Sequence, residues 1–261
     1  KLDILPSLNL TFSPNPKSNI RLAGSKTVAR PEFREIAPFA FFDFEQIAST
    51  AGLTDLKRSS IVNGDIRYEW YPKAGELISA GVFYKDFTDP IELRLNSASG
   101  GTRRQYEFQN ALNATLYGTE IEFRKSLSFI SKSKEWLEKL FFTGNASIIF
   151  SEVKIGGLDQ AGNPRPALER PLQGQSPYLL NAGFQYDSKS GTGISFFYNR
   201  IGERLSLVGN ADFGDIYERP RDLVDFQLSQ KILKRKGEVR LTVSDILNQS
   251  AATYENKNSR K

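Results

Sequence analysis

The sequence has 261 residues, with 35 Lys and Arg against 30 Asp and Glu and a formal net charge of +5. It contains no Cys, His or Met, which excludes disulfides, thiolate or imidazole metal sites, cysteine nucleophiles and any Ser-His-Asp triad. Lys1 opens the chain, so it reads as a processed piece or a fragment, and its interleaved acids and bases read as solvated surface rather than a nucleic-acid face.

Period-two alternation recurs along nearly the whole chain. It predicts ten strands, at 3–12, 19–28, 60–71, 76–95, 103–127, 140–155, 177–187, 192–207, 220–232 and 237–248. In the third, Val62, Gly64, Ile66, Tyr68 and Trp70 oppose Asn63, Asp65, Arg67 and Glu69. In the fifth, Tyr117, Thr119, Ile121 and Phe123 oppose Gly118, Glu120, Glu122 and Arg124. Short connections at 13–18, 72–75, 188–191 and 233–236 alternate with long ones at 29–59, 96–102, 156–176 and 208–219. The connection 128–139 falls where a short turn is due, yet it carries a helical pattern with Glu135 and Lys139 at i,i+4. Its Trp136, Leu137 and Leu140 fit either a helical connector or an amphipathic turn at a membrane edge.

No apolar run reaches 18 residues, so no transmembrane helix is predicted. A β-barrel wall hides from that test, because its apolar residues alternate with polar ones. Long strands, one aromatic-rich apolar face and alternating turn lengths favour an antiparallel transmembrane β-barrel. Tyr68 and Trp70 lie just before a short turn, where an interfacial aromatic belt belongs. A soluble all-β binding module also alternates, but its outward strand faces would be polar.

At Ser25–Pro38 the sequence reads Ser-Lys-Thr-Val-Ala-Arg-Pro-Glu-Phe-Arg-Glu-Ile-Ala-Pro. This string resembles a strand-to-loop segment in the C-terminal half of TonB-dependent outer-membrane receptors, in the form common in Bacteroidetes. Arg67–Glu76, Phe83–Glu92, Ala114–Arg124 and Val243–Asn248 are similar to later pieces of the same family, in the same order. The resemblance implies about ten strands of a 22-stranded barrel, the predicted ten being strands 12 to 21. It implies a C-terminal portion, residues 1–261, without the plug domain and without the final strand.

It further implies outer-membrane lipid as surroundings in a Gram-negative bacterium, the protein's own plug as a partner, and a TonB complex engaged through an upstream N-terminal region. The implied function is active uptake of a bulky nutrient, such as a siderophore, cobalamin, an oligosaccharide or a peptide. A passive porin or a secretion or assembly barrel remains the alternative, beside the soluble module.

Candidate residues follow from the two faces. Asp65, Arg67, Glu69, Glu120, Glu122 and Arg124 are expected on a wet lumen face, where they meet the plug or only water. Arg30, Glu32, Phe33 and Arg34 begin the longest loop, and Arg and Glu so close in sequence are expected to pair locally or to reach ligand. Phe41 and Phe42, with Phe39 and Phe44, are expected either as an aromatic ligand platform or as loop self-packing. Glu120 and Glu122 superficially suggest a glycosidase pair, but nothing else supports catalysis, and no enzyme, cofactor or metal site is expected. Gly100-Gly101 and Gly156-Gly157 read as loop glycines rather than phosphate cradles. A ten-strand wall has two open edges, so the chain alone is expected to aggregate or to close on itself; a sharp monomeric unfolding transition in plain buffer would contradict that.

Overall fold

The structure is a computed structural model that describes residues 2–44, 48–96, 104–131, 133–155, 168–210 and 213–256. The two glycine pairs lie outside these residues. Hairpin β1 (Ser7–Asn15) and β2 (Ser18–Ala29) comes first, followed by a short helix α1 (Phe33–Ile36) and small strands β3 (Ala40–Asp43) and β4 (Ala48–Ala51). Then come β5 (Ser59–Trp70), β6 (Leu77–Thr88), β7 (Ile91–Leu95), β8 (Gln105–Asn110) and β9 (Asn113–Ser126). A 3-10 turn (Leu127–Phe129) and helix α2 (Glu135–Glu138) lead to β10 (Leu140–Ile155), β11 (Leu168–Arg170), β12 (Tyr178–Asp187) and β13 (Thr192–Ile201). The last strands are β14 (Arg204–Leu207), β15 (Asp215–Glu218), β16 (Arg221–Ile232), β17 (Gly237–Val243) and β18 (Thr253–Asn256).

Ten of these form one open antiparallel meander, in the order β1-β2-β5-β6-β9-β10-β12-β13-β16-β17, with β11 as a side branch on β10. They are the ten expected strands, with altered bounds. The expected strand 76–95 breaks after Thr88, because Asp89 takes a left-handed φ of 53° and Pro90 has no N–H for the ladder. Its neighbour, expected at 103–127, breaks opposite it, at Ala111 and Leu112. The two outer pieces therefore leave together as the β7–β8 hairpin. The expected strand 192–207 ends at Ile201. The next residue is Gly202, where a Cβ would lie 2.7 Å from the Tyr178 ring.

Register places all even residues of β2, β5 and β6 on the same face as odd residues of β9 and even residues of β10, β12, β13 and β16. That face is apolar across the sheet. Leu10, Leu22, Ile66, Val82, Ile121 and Ile148 lie along it, each exposed by 43–53%. Two aromatic rows bound it. Near the short turns, Phe123, Phe142 and Phe184 follow one another as tilted ring pairs at 4.8 and 5.0 Å between centroids, and Phe184 pairs in register with Phe196. Toward the long connections, Tyr84, Tyr117 and Phe150 stand side by side, the last two stacked at 5.4 Å. From Val62 to Trp70 the apolar stretch covers about 26 Å of strand, or roughly 20 Å of height at a tilt of about 40°. That is somewhat short of the apolar band of about 25 Å that outer-membrane barrels present to lipid.

Among the described residues, the buried apolar side chains lie mostly beyond the wall, in the long connections. A four-stranded sheet, β3-β4-β8-β7, and a three-stranded one, β14-β15-β18, form a cap at that edge. Ala48, Leu95, Tyr106 and Leu207 make its core, with Leu93, Phe213 and Ile216 packed against them.

Candidate functional site: the polar face and the loop cap

The opposite face of the wall is polar, and strand alternation brings all six expected residues to it. Arg67 reaches Glu122 at 2.5 Å although β6 runs between their strands. It crosses at Gly81 and Ser79, whose small size leaves the path open. Arg67 Nε is also 3.3 Å from Glu69. Glu69 is the hub: it accepts from Arg21 Nε at 2.9 Å, from the Tyr71 hydroxyl at 3.0 Å and from Asn19 Nδ2 at 3.4 Å. Glu69 is 6% exposed, and these donors replace the water it has lost.

Arg124 lies over the Phe141 ring at 4.5 Å and donates to Gln185 at 2.9 Å. Glu120 accepts from Ser147 at 3.4 Å. Asp65 shares the face but stays exposed. Further along, Asn199 donates to Asn181 at 2.6 Å and Asn181 to Asn145 at 2.7 Å, an amide ladder over three strands. The face thus carries several hydrogen-bonded clusters of groups able to bind water or a polar domain.

Arg21, Asn19, Tyr71 and the amide ladder escaped the sequence reading, because cross-strand partnership depends on register. A second unseen feature is aromatic. Phe83 and Phe197 break the alternation by lying on the polar face, and each covers a glycine of the next strand. A Cβ on Gly118 would come within 2.7 Å of Phe83, and one on Gly183 within 2.5 Å of Phe197.

The cap ties the long connections to one another. Glu92 on β7 is 2% exposed and takes both guanidinium nitrogens of Arg170 from the connection after β10. Gln173 acts as a surrogate peptide: it accepts from the Leu93 N–H at 2.8 Å and donates to the carbonyls of Leu93 and Ser206 at 3.0 and 2.7 Å. Arg104 pairs with Glu255 at 2.9 Å, so the segment after β17 is braced as well. Burial pushes the Tyr106 phenol up from its ordinary value.

The loop candidates divide. Arg30 pairs with Asp3 at 3.2 Å, not with its neighbouring Glu, and Arg58 also contacts Asp3. Glu32 caps α1, in a reciprocal box with Glu35. Phe33 is 91% exposed. Arg34 sits over the Phe41 ring at 5.0 Å, and Phe41 packs on Phe39 at 4.6 Å. Phe42 packs instead on Phe44 at 5.0 Å. The four phenylalanines thus form two pairs rather than one platform, because alternation sends adjacent residues to opposite sides. The expected Glu135–Lys139 pair is replaced: Glu135 lies 3.8 Å from Lys189 of the neighbouring turn, and α2 is a single turn, too short to hold an i,i+4 pair within itself.

The whole chain, residues 1–261, matches the Outer membrane protein beta-barrel family. No curated protein matches it. Among solved structures it is similar to a variant of the ferric enterobactin receptor PfeA of Pseudomonas aeruginosa, at 15% identity and a TM-score of 0.59, over 94% of this chain and 35% of that one. The siderophore receptor PirA of Acinetobacter baumannii gives 17% identity and 0.59, over 94% and 37%. The ferric-catecholate import receptor Fiu of E. coli gives 14% and 0.58, over 93% and 30%. The chain therefore spans about a third of each of these receptors. At such identities the likeness establishes the fold, which is that of their barrel wall. The chain belongs to the Outer membrane protein beta-barrel family, and it is located in the outer membrane as part of a barrel wall.

Proposed function

We propose that this chain is the C-terminal part of a TonB-dependent receptor that takes up a bulky nutrient, with a ferric siderophore as the first candidate. The observation that carries the reading is the wall itself: an apolar, aromatic-bounded face backed by hydrogen-bonded polar clusters, with braced long connections at one edge and short turns at the other. A wet wall alone serves a passive pore; in the receptor reading its hydrogen-bonded clusters also meet an internal partner. In this reading the apolar face meets lipid and the polar face lines the lumen. Glu69, Arg67, Glu122 and Arg124 lie near the turn edge and dock an upstream plug domain. The cap is extracellular, and Arg34 with Phe39 and Phe41 offers a cationic aromatic surface of the kind that holds an anionic, ring-bearing chelate.

Two open edges, β1 and β17, are to be closed by upstream strands and one further strand. Membership of the family supports a transport role without bond chemistry. The test is uptake of iron-labelled siderophores by cells carrying the full-length gene, with and without TonB. The reading predicts accumulation that is abolished when TonB is removed. Accumulation that persists at the same rate indicates a passive pore and overturns the coupling.

A further inference from the structure

The turn edge carries a feature that uptake does not require. Helix α2 is pinned by Leu137, 4% exposed, and by the Ser126 hydroxyl, which donates to the carbonyls of Leu137 and Glu138 at 3.2 and 3.1 Å. The Asp187 N–H reaches the carbonyl of Lys139 at 3.4 Å and fixes the helix against the β12–β13 turn. Trp136 is thereby held 49% exposed over the apolar face. With Leu140, Phe184, Tyr186, Ile194 and Phe196 it lines an open hollow of about 400 Å³. An apolar hollow of this size has room for part of an acyl chain.

Just beyond the hollow the chain becomes basic. Lys189 lies in the β12–β13 turn, and Lys234, Arg235 and Lys236 lie in the β16–β17 turn. The two turns are joined, since Arg235 donates to the Lys189 carbonyl at 2.5 Å and Lys231 N–H to the Gly191 carbonyl at 2.9 Å. Leu233, Lys234 and Arg235 hold φ of 50°, 55° and 71°, a left-handed run that side-chained residues rarely adopt. The acids nearby are Glu135, already beside Lys189, Glu138, Asp187, and Glu238, which pairs with Arg240 at 2.7 Å. Along β13 the order is Phe196, Ile194, then the basic turn, so apolar hollow and positive charge follow each other as chain and headgroup do in a lipid.

We propose that the hollow and the joined turns hold one anionic phospholipid of the inner leaflet, its acyl chain along Trp136 and its phosphate at Lys189, Lys234 and Arg235. This rests on the reading that places the short turns on the periplasmic side. The full-length receptor, reconstituted in phosphatidylcholine vesicles, provides the test. Trp136 emission is isolated as the difference from Trp136→Phe, and either dibrominated phosphatidylglycerol or dibrominated phosphatidylcholine is added as quencher. Phosphatidylglycerol is expected to quench Trp136 at concentrations at least about fivefold lower, the preference that one basic residue near the surface supplies. Lys234→Ser should reduce the preference, and Lys189→Ser/Lys234→Ser/Arg235→Ser should abolish it while quenching by phosphatidylcholine stays unchanged. Equal quenching by both lipids, or a preference that survives the triple change, overturns the site. Quenching of Trp70 but not Trp136 overturns it while leaving a lipid-facing wall; quenching of neither overturns the wall.

Discussion

At the residue scale, the two kinds of ion pair in this molecule carry different weight. Arg67 and Glu122 sit on the wet face, 34% and 41% exposed at the side chain, where solvent screens them and single removals cost little. Glu92 and Arg170 sit inside the cap, 1% and 9% exposed at the side chain, and Arg170 loses its only ion-pair partner among the described residues once Glu92 is gone. Glu92→Ala is therefore expected to loosen the cap by about 3–5 kcal/mol, against under about 1 kcal/mol for Glu122→Ala. Limited proteolysis of the full-length receptor in detergent reads this directly. Cleavage of the long connections should accelerate strongly in Glu92→Ala and barely in Glu122→Ala. Equal rates would mean that the apolar core around Tyr106 and Leu95 holds the cap without the ion pair.

None of this was visible in the sequence. Glu92 and Arg170 are 78 positions apart, and no periodicity joins them. By contrast, the six polar-face residues were placed on one face by alternation alone, because a strand's period of two is a local property. Alternation cannot say that Arg67 crosses β6 to Glu122, since that depends on small residues, Gly81 opposite Arg67 and Ser79 opposite Glu122, lying between them.

At the element scale, the ten wall strands were legible because each must satisfy lipid on one side and water on the other. That demand writes a two-residue rhythm over ten or more positions. The cap strands were legible only in part. β7, β8 and β14 lie inside the expected strands 76–95, 103–127 and 192–207, whereas β3, β4, β15 and β18 are four residues each, and β11 three, too short for a rhythm to register. They exist because long connections from distant hairpins pair with one another, as in the parallel β4–β8 contact. The two faces also predict an asymmetry. Ile66 is central on the apolar face between Leu22 and Val82, whereas Ser195 is on the polar face between Gln185 and Gln227. Ile66→Arg is expected to cost about 2–4 kcal/mol of stability in a bilayer. Ser195→Arg is expected to stay within about 0.5 kcal/mol. Denaturant unfolding of the full-length protein from phospholipid vesicles measures both. Similar costs at the two sites would show that Ile66 does not face hydrocarbon.

At the scale of the whole molecule, the wall is an open sheet whose edges, β1 and β17, have unpaired backbone donors and acceptors. In hydrocarbon such edges are not tolerated, so the proposed reading has further strands close this sheet into a barrel. The central claim is that one face of this sheet meets lipid and the other meets water. The absence of native Cys in this chain makes it directly measurable. Single cysteines at positions 117–124 of β9, in the full-length protein in bilayers, are spin-labelled and their collisions with oxygen and with a water-soluble nickel chelate are recorded. The account predicts strict alternation: labels at Tyr117, Thr119, Ile121 and Phe123 favour oxygen, and labels at Gly118, Glu120, Glu122 and Arg124 favour nickel. Uniform accessibility, or the opposite phase, would contradict it.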